Sequence, residues 1–283
     1  MENTLQKNAL ITGATNGIGL ITAIEIAKAG YKTVITGRDI AKTKQVVELI
    51  KKNSGNDDIH YIIADLSIIS NCKKVAEDYQ SRFTRLDLLV NNAGAIFPEL
   101  KLTEDGLENT FALNHFSYFI ITGLLLDLLK KSEKSRIVNV SSGAHKASDI
   151  LFENIRGEID YKSFSVYGQS KLANILFTYE LARKLEGTNV TVNCLHPGVV
   201  RTGFGANYKG IIKAFMKLFS QFLISPENGA KTTIFLALDK TLDGVSGKYF
   251  VKKKAEKSSP ASYNETTAKK LWDISQEITG IKY

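Results

Sequence analysis

A tyrosine and a lysine four residues apart carry the clearest chemical signal in this sequence. In Tyr167-Gly-Gln-Ser-Lys171 the two side chains share one face if the segment is helical. A free phenol has a pKa of about 10, and a neighbouring ammonium favours the phenolate and would lower that pKa. Such a phenol can act as an acid or base near neutral pH. Because this spacing is also common on helices without a function, the pair needs partners.

Two further polar residues are candidates for the same site. Ser142 follows an apolar run typical of a buried strand, and its hydroxyl could hydrogen-bond a substrate oxygen. The alternative is that Ser142 caps a helix or loop. Asn114 lies in a long predicted helix, where an ordinary polar helix residue is the alternative.

A glycine-rich turn near the beginning of the chain is typical of a dinucleotide site. It follows the first apolar run and precedes a helical pattern. Glycines let the backbone turn tightly and approach a diphosphate, whose charge is stabilised by the amino end of a helix. The alternative is a plain turn between strand and helix. The residues predicted to bind are Gly13, Thr15, Asn16, Gly17, Ile18 and Gly19.

Residues after the next strands predict the cofactor. The second strand ends at Arg38, which could accept the additional phosphate of NADP, whereas an acidic residue there would favour NAD. We therefore predict NADP, with NAD less favoured; the alternative for Arg38 is a solvated side chain paired with Asp39. Asp65 would contact adenine or, equally, cap a helix. The other predicted contacts are Leu66, Asn92, Ala93 and Gly94.

Short apolar runs alternate with helical patterns along the chain and would position these residues. The runs are four to six residues long and rich in Val and Ile, as in strands buried on both faces of a parallel sheet. They are 8–12, 33–36, 60–64, 86–91, 136–140 and 190–195, and the helical patterns are 18–29, 41–52, 72–83, 107–130 and 168–185. The alternation predicts an α/β fold over residues 1–283: a single-domain, Rossmann-type, doubly wound parallel sheet of about seven strands with helices on both faces.

Composition narrows the classes of function. The 283 residues carry a net charge of +8, which is interpreted as a solvated surface because no basic and aromatic cluster indicates nucleic-acid binding. Two cysteines and four scattered histidines predict neither a disulfide framework nor a metal site. With no recognisable targeting segment and no apolar stretch of about 18 residues, we expect a cytoplasmic protein without a transmembrane span.

Together these residues resemble the short-chain dehydrogenase/reductase family, and within it the retinol dehydrogenases and the related oxidoreductases that carry WW domains. Further segments similar to that subgroup are 167–177, 195–198, 225–230 and 246–250. The resemblance implies an enzyme that interconverts an alcohol and an aldehyde or ketone with NADP(H). It implies that Tyr167 is the acid/base, that Lys171 binds the nicotinamide ribose and tunes Tyr167, and that Ser142 orients the substrate oxygen. Asn114 would hold a water that relays protons through Lys171.

The same resemblance places residues 197–202 over the nicotinamide. The contacts that it implies are Pro197, Gly198, Val200 and Thr202. We expect neither the amino-terminal membrane anchor common in animal retinol dehydrogenases nor a WW domain.

The amphipathic segment 209–224 is predicted to be a substrate lid. Its Phe215, Phe219 and Phe222 favour an apolar or aromatic substrate. The alternatives are that these rings pack in the core, form a dimer face or contact lipid peripherally. The helices 107–130 and 168–185 resemble those through which family members pair, so both a homodimer and a monomer are considered. A cofactor-binding sensor or scaffold without turnover is the alternative function, although all four catalytic positions are filled.

Overall fold

The apolar runs of the sequence form one continuous sheet. The computed structural model describes residues 6–157, 159–199 and 224–283. The strands in these ranges are β1 (Asn8–Ile11), β2 (Lys32–Gly37), β3 (Ile59–Ile63), β4 (Leu88–Asn91), β5 (Ser135–Val140), β6 (Val190–His196), β7 (Tyr249–Val251) and β8 (Lys254–Glu256). Their order is β3-β2-β1-β4-β5-β6-β7-β8. Because the order reverses between β1 and β4, the loops that follow these two strands open a crevice.

The sheet is parallel as predicted except at one edge. Pairing is parallel from β3 to β7, whereas β8 runs antiparallel to β7. The turn between β7 and β8 contains Lys252 and Lys253, whose φ angles are +48° and +66°. A two-residue hairpin turn of type I′ needs positive φ at both positions, where Gly and Asn are usual. The two lysines therefore carry no turn signal, and the prediction of about seven parallel strands misses this edge strand.

Helices cover both faces of the sheet, as the doubly wound fold predicts. They are α1 (Gly17–Lys28), α2 (Ile40–Ser54), α3 (Ile69–Arg82), α4 (Asn109–Lys130), α5 (Ser163–Lys184), α6 (Pro226–Leu238) and α7 (Glu265–Thr279). Ala9 and Ile11 of β1 pack with α1, α2 and α6, whereas Leu10 packs with α3, α4, α5 and α7. Because side chains alternate along a strand, the middle strand is buried on both faces.

Helix α4 crosses the core of the fold. By length and composition it could span a membrane, but 78% of its apolar window is buried inside the molecule, as in a core helix. It begins where the Glu108 carboxylate accepts the N–H groups of Thr110 and Phe111 at 2.8 and 2.7 Å. Its next residues, Ala112–Phe116, are π-helical. Asn114 lies in this π-helical segment, which is a local distortion that often marks a functional site.

Candidate active site

A cavity of about 530 Å³ opens at the carboxyl ends of the parallel strands. Ligands of open α/β sheets bind at this edge. The predicted site residues that line it are Gly13, Thr15, Asn16, Ile18, Gly19, Arg38, Leu66, Asn92, Ala93, Gly94, Ser142, Tyr167, Lys171, Pro197 and Gly198. Gly17, Asp65 and Asn114 are not part of its lining. Val200, Thr202 and positions 209–223 of the predicted lid lie outside the described residues.

Glycines form the floor of the cavity where the loops after β1 and β4 meet. A side chain at Gly13 would place its Cβ 2.7 Å from the Ala93 Cα, and one at Gly19 would place it 2.5 Å from the Gly13 carbonyl oxygen. The Thr12 hydroxyl accepts the N–H groups of Asn92 and Ala93 at 2.9 and 3.1 Å, which ties the two loops together. This bare backbone surface beside the amino end of α1 fits the diphosphate of a dinucleotide.

Arg38 stands at the end of β2, and 69% of its side chain is exposed. Its Nη1 lies 3.7 Å from the Asp65 Oδ2, whereas the Asp39 carboxylate caps α2 by accepting the N–H of Lys42. Asp65 also accepts the N–H and the hydroxyl of Ser67, so it closes a turn before α3, a role close to the helix cap considered for it. An exposed guanidinium on the cavity wall fits a phosphate group that would compete with Asp65.

Tyr167, Lys171 and Ser142 converge on the cavity. Tyr167 and Lys171 lie one turn apart in α5. The Tyr167 hydroxyl forms a hydrogen bond with Ser142. The Lys171 Nζ lies 5.7 Å from the centre of the Tyr167 ring and donates to the Val140 carbonyl oxygen at 3.2 Å. The predicted combination of one phenol, one amine and one serine hydroxyl is therefore assembled in one place.

Ser142 forms the cap considered for it and also contacts the candidate phenol. Its hydroxyl oxygen accepts the N–H of Ala144 at 3.2 Å and so caps the 3-10 turn Gly143–Ala147. The same hydroxyl contacts Tyr167. Capping the turn therefore fixes the hydroxyl beside the candidate phenol.

Burial dominates the acid–base behaviour of the pair in the protein itself. Burial raises the pKa of Tyr167 to about 12, against the opposing effect of the hydrogen bond with Ser142. Burial also lowers the pKa of Lys171 to about 7, because only 3% of this residue is exposed and its ammonium loses most of its hydration. In the protein itself, burial therefore outweighs the lowering of the Tyr167 pKa that is expected from Lys171, since burial disfavours the charged form of each group.

Asn114 braces the site from behind. Its amide oxygen accepts the N–H of Ala95 at 2.9 Å, and its amide nitrogen donates to the Ala95 carbonyl and the Ser170 hydroxyl at 3.0 and 2.9 Å. A Cβ on Gly94 would lie 3.1 Å from the Asn114 Oδ1 and 3.2 Å from the Lys171 Nζ. The absence of a side chain at Gly94 thus lets Asn114 and Lys171 approach each other, and the water relay stays a prediction.

Several residues of the cavity were not predicted from the sequence. They are Thr36, Gly37, Ala64, Ala95, Leu113, Val140, Ser141, Gly143, Ala144, Phe164 and His196, whereas Val199 lies within the predicted range 197–202. Many of them could have been predicted from their place in the sequence, because residues at or just after the carboxyl end of a parallel strand face the crevice. Leu113, Phe164 and Val199 give the cavity an apolar wall, and Phe164 lies one turn before Tyr167 in α5. Part of the cavity wall is therefore apolar.

Known proteins resemble this chain over nearly its whole length. The family model described as short chain dehydrogenase matches residues 7–210. Retinol dehydrogenase 14 of Homo sapiens is 40% identical over 97% of this chain and 87% of its own length. Polyprenol dehydrogenase of Homo sapiens is 36% identical over 96% of this chain and 85% of its own length. A solved structure from Mycobacterium paratuberculosis matches with a TM-score of 0.79 at 27% identity, covering 98% of this chain and 95% of that chain.

Proposed function

Since the chain belongs to the short-chain dehydrogenase family and is an oxidoreductase of alcohols and carbonyl compounds, we propose that it acts on an apolar substrate with NADP(H) and uses Tyr167 as its acid/base. The observation that carries this proposal is the convergence of Tyr167, Ser142 and Lys171 on one cavity. The floor of that cavity fits a dinucleotide. A cofactor-binding scaffold without turnover would need the floor but not the three convergent side chains.

Each side chain has a defined part in reduction. When bound, NADPH supplies the hydride for the carbonyl carbon. Tyr167 donates its phenolic proton to the carbonyl oxygen, while the Ser142 hydroxyl bonds the same oxygen and stabilises the charge that develops there. Lys171 lies one turn further along α5, where its ammonium would stabilise the phenolate left behind and hold the ribose hydroxyls. In alcohol oxidation the Tyr167 phenolate accepts the hydroxyl proton.

Replacing Tyr167 by Phe tests the acid/base assignment. The Tyr167→Phe variant keeps the ring but has no proton to donate, and loss of a general acid costs roughly 100- to 10,000-fold in kcat. NADPH affinity, followed by fluorescence titration, should stay close to that of the wild type. Tyr31→Phe is the matched control, because Tyr31 lies just before β2, at the amino ends of the strands and away from the cavity at their carboxyl ends. Undiminished turnover in Tyr167→Phe would refute the assignment.

Arg38 supports the choice of NADP over NAD. Its exposed guanidinium on the cavity wall can form a charge-assisted pair with the additional phosphate. Removing one such hydrogen bond costs about 1.5–3 kcal/mol, so Arg38→Ala should weaken NADPH binding by roughly 10- to 150-fold and leave NADH binding nearly unchanged. Asp65→Asn should strengthen NADPH binding, because it removes the competing carboxylate. An equal loss for both cofactors in Arg38→Ala would remove Arg38 from this role.

The apolar wall supports an apolar substrate. Leu113, Phe164 and Val199 line part of the cavity, and two similar proteins are named for retinol and polyprenol, both apolar alcohols. We expect kcat/KM to rise along a series of aldehydes of increasing apolar length. Phe164→Ala should raise KM for the long aldehydes more than for the short ones, because it removes apolar contact area. Steady-state assays with NADPH measure kcat/KM along the series and KM in the variant. A preference for short polar aldehydes would contradict an apolar substrate.

A further inference from the structure

Two histidines hold the peptide group that follows the candidate catalytic serine. The Ser142 carbonyl oxygen accepts the Nδ1–H of His145 at 2.6 Å. The N–H of Gly143 donates to the Nδ1 of His196 at 3.0 Å. That carbonyl and that N–H belong to one planar peptide unit, so the two rings fix its orientation from opposite ends.

The hydrogen-bond partners define the proton position on each ring. His145 Nε2 accepts the N–H of Ser259 at 3.1 Å, so the proton of His145 must be on Nδ1. His196 accepts on Nδ1, so its proton must be on Nε2. Both rings are therefore neutral when the peptide is held. A second proton on His145 would face the N–H of Ser259, and a second proton on His196 would face the N–H of Gly143. In either case two N–H donors would meet and that hydrogen bond would break.

The two rings are anchored in different parts of the molecule. His145 is fully buried, with its ring centre 5.1 Å from that of Tyr249 in β7. Its bond to Ser259 joins it to the segment that follows β8. His196 is the last residue of β6 and lines the cavity. A Cβ on Gly143 would lie 3.4 Å from the His196 Nε2, so the ring packs closely against Gly143.

We propose that His145 and His196 are positioning residues that keep the Ser142 hydroxyl in register with Tyr167, and that they do so only while both are neutral. The inference rests on the proposed function, in which Ser142 bonds the substrate oxygen. Loss of either bond would free this peptide to rotate. The backbone at Ser142 and Ala144, which sets the contacts of the Ser142 hydroxyl with Tyr167 and with the N–H of Ala144, would then no longer be fixed.

The surroundings of both rings favour the neutral form. Burial lowers the pKa of His145, although the hydrogen bond with Ser142 opposes this. Burial also lowers the pKa of His196; His145 and the Lys146 cation lower it further, and the Glu256 carboxylate raises it. Lys146, Tyr249 and Glu256 lie close enough to act on the two rings, and Tyr167 and Lys171 line the same cavity as His196. Protonation of the two histidines should therefore lower carbonyl reduction only on the acid side of pH 6.5, where histidine gains its second proton.

Paired substitutions separate positioning from folding. His196→Leu removes the acceptor and should lower kcat by about 10- to 100-fold, as expected for misplacement of a group at the reacting oxygen. NADPH affinity and the melting temperature should change little. His196→Asn places an amide oxygen where Nδ1 was, so it should recover most of kcat and move the acid limb of the pH profile to lower pH. His60→Asn, in β3 outside the lining of the cavity, is the control and should leave the profile unchanged.

The proton positions can be measured without turnover. Correlation spectra of the histidine ring nitrogens, assigned with the His145→Asn and His196→Asn variants, should show a protonated Nδ1 on His145 and a protonated Nε2 on His196 at neutral pH. The opposite form on either ring would overturn the proposal whatever the activity. Full kcat in His196→Leu would also overturn it, provided that wild-type turnover depends on Tyr167. Absence of any Tyr167-dependent turnover would instead count against the proposed function.

Discussion

At the scale of single residues, burial decides which form of the acid/base is present at neutral pH. The pKa of Tyr167 is raised to about 12, so the phenol keeps its proton and is ready to reduce a carbonyl. The pKa of Lys171 is lowered to about 7, so its ammonium is only marginally retained in the protein alone. Charge at this site therefore depends on what binds beside it, and the positive ring of NADP⁺ would favour the phenolate needed for oxidation.

The two reaction directions should differ in their pH dependence. Alcohol oxidation needs the Tyr167 phenolate, whose fraction rises tenfold per pH unit below its pKa, so kcat/KM should rise with pH up to the pKa reached in the NADP⁺ complex. Carbonyl reduction needs the phenol, whose pKa lies higher, so Tyr167 itself should add no pH dependence to reduction from about pH 7 to 9. Initial rates in both directions at constant ionic strength measure this. An oxidation rate independent of pH would exclude Tyr167 as the titrating base.

At the scale of elements, the first turn of α1 has no room for a side chain at position 19. A Cβ on Gly19 would lie 2.5 Å from both the Asn92 Nδ2 and the Gly13 carbonyl oxygen. Gly19→Ala should therefore cost about 1–3 kcal/mol in stability, as overpacking does, and weaken NADPH binding as the two loops separate. Gly30→Ala is the control beyond the other end of α1: its φ is +85°, and no described atom lies within 4 Å of its Cβ. It should cost about 1–2 kcal/mol through backbone strain and leave NADPH affinity unchanged.

Elements with a local pattern were predictable from the sequence, and those defined by distant partners were not. The six apolar runs became β1 to β6 because their composition alone favours burial, and the glycine turn after β1 was identified from its spacing. The three-residue strands β7 and β8 are too short to show a period. The contact between Ser142 and Tyr167 joins residues far apart in the chain, and the roles of His145 and His196 depend on partners in other segments. The cytoplasmic location stays a prediction.

At the scale of the whole molecule, the end of the chain covers the helices considered for pairing. Helix α7 packs along α5, and Trp272 of α7 stacks on Phe177 with ring centres 5.8 Å apart. Tyr283 donates its hydroxyl to the Phe119 carbonyl at 2.6 Å, and its ring lies against Gly123 of α4. We therefore expect a monomer of 31.3 kDa by light scattering, because these faces already pack within one chain. A species of twice that mass would require a different interface.

Stability in mild acid should depend on one histidine in the middle of this packing. His115 is enclosed between α4, α5 and α7, and its Nε2 bonds the Ser275 hydroxyl at 3.0 Å. Burial lowers its pKa from 6.5 to about 4, so between these values the unfolded chain binds a proton that the folded chain does not. The contribution of neutral His115 to the free energy of unfolding is therefore fully present above pH 6.5 and falls as the pH drops towards 4.

The loss attributable to His115 between pH 7 and pH 5 should be about 2 kcal/mol, because one pKa unit corresponds to about 1.4 kcal/mol. Chemical denaturation at the two pH values measures it, and His145 and His196 add losses of the same sign since their pKa values are also lowered. In His115→Leu the difference between the two pH values should shrink by that amount, whatever the variant costs at pH 7. His60→Leu, at a side chain that is 40% exposed, is the control for the substitution itself. An unchanged difference in His115→Leu would mean that the folded chain accommodates the charged ring as readily as water does.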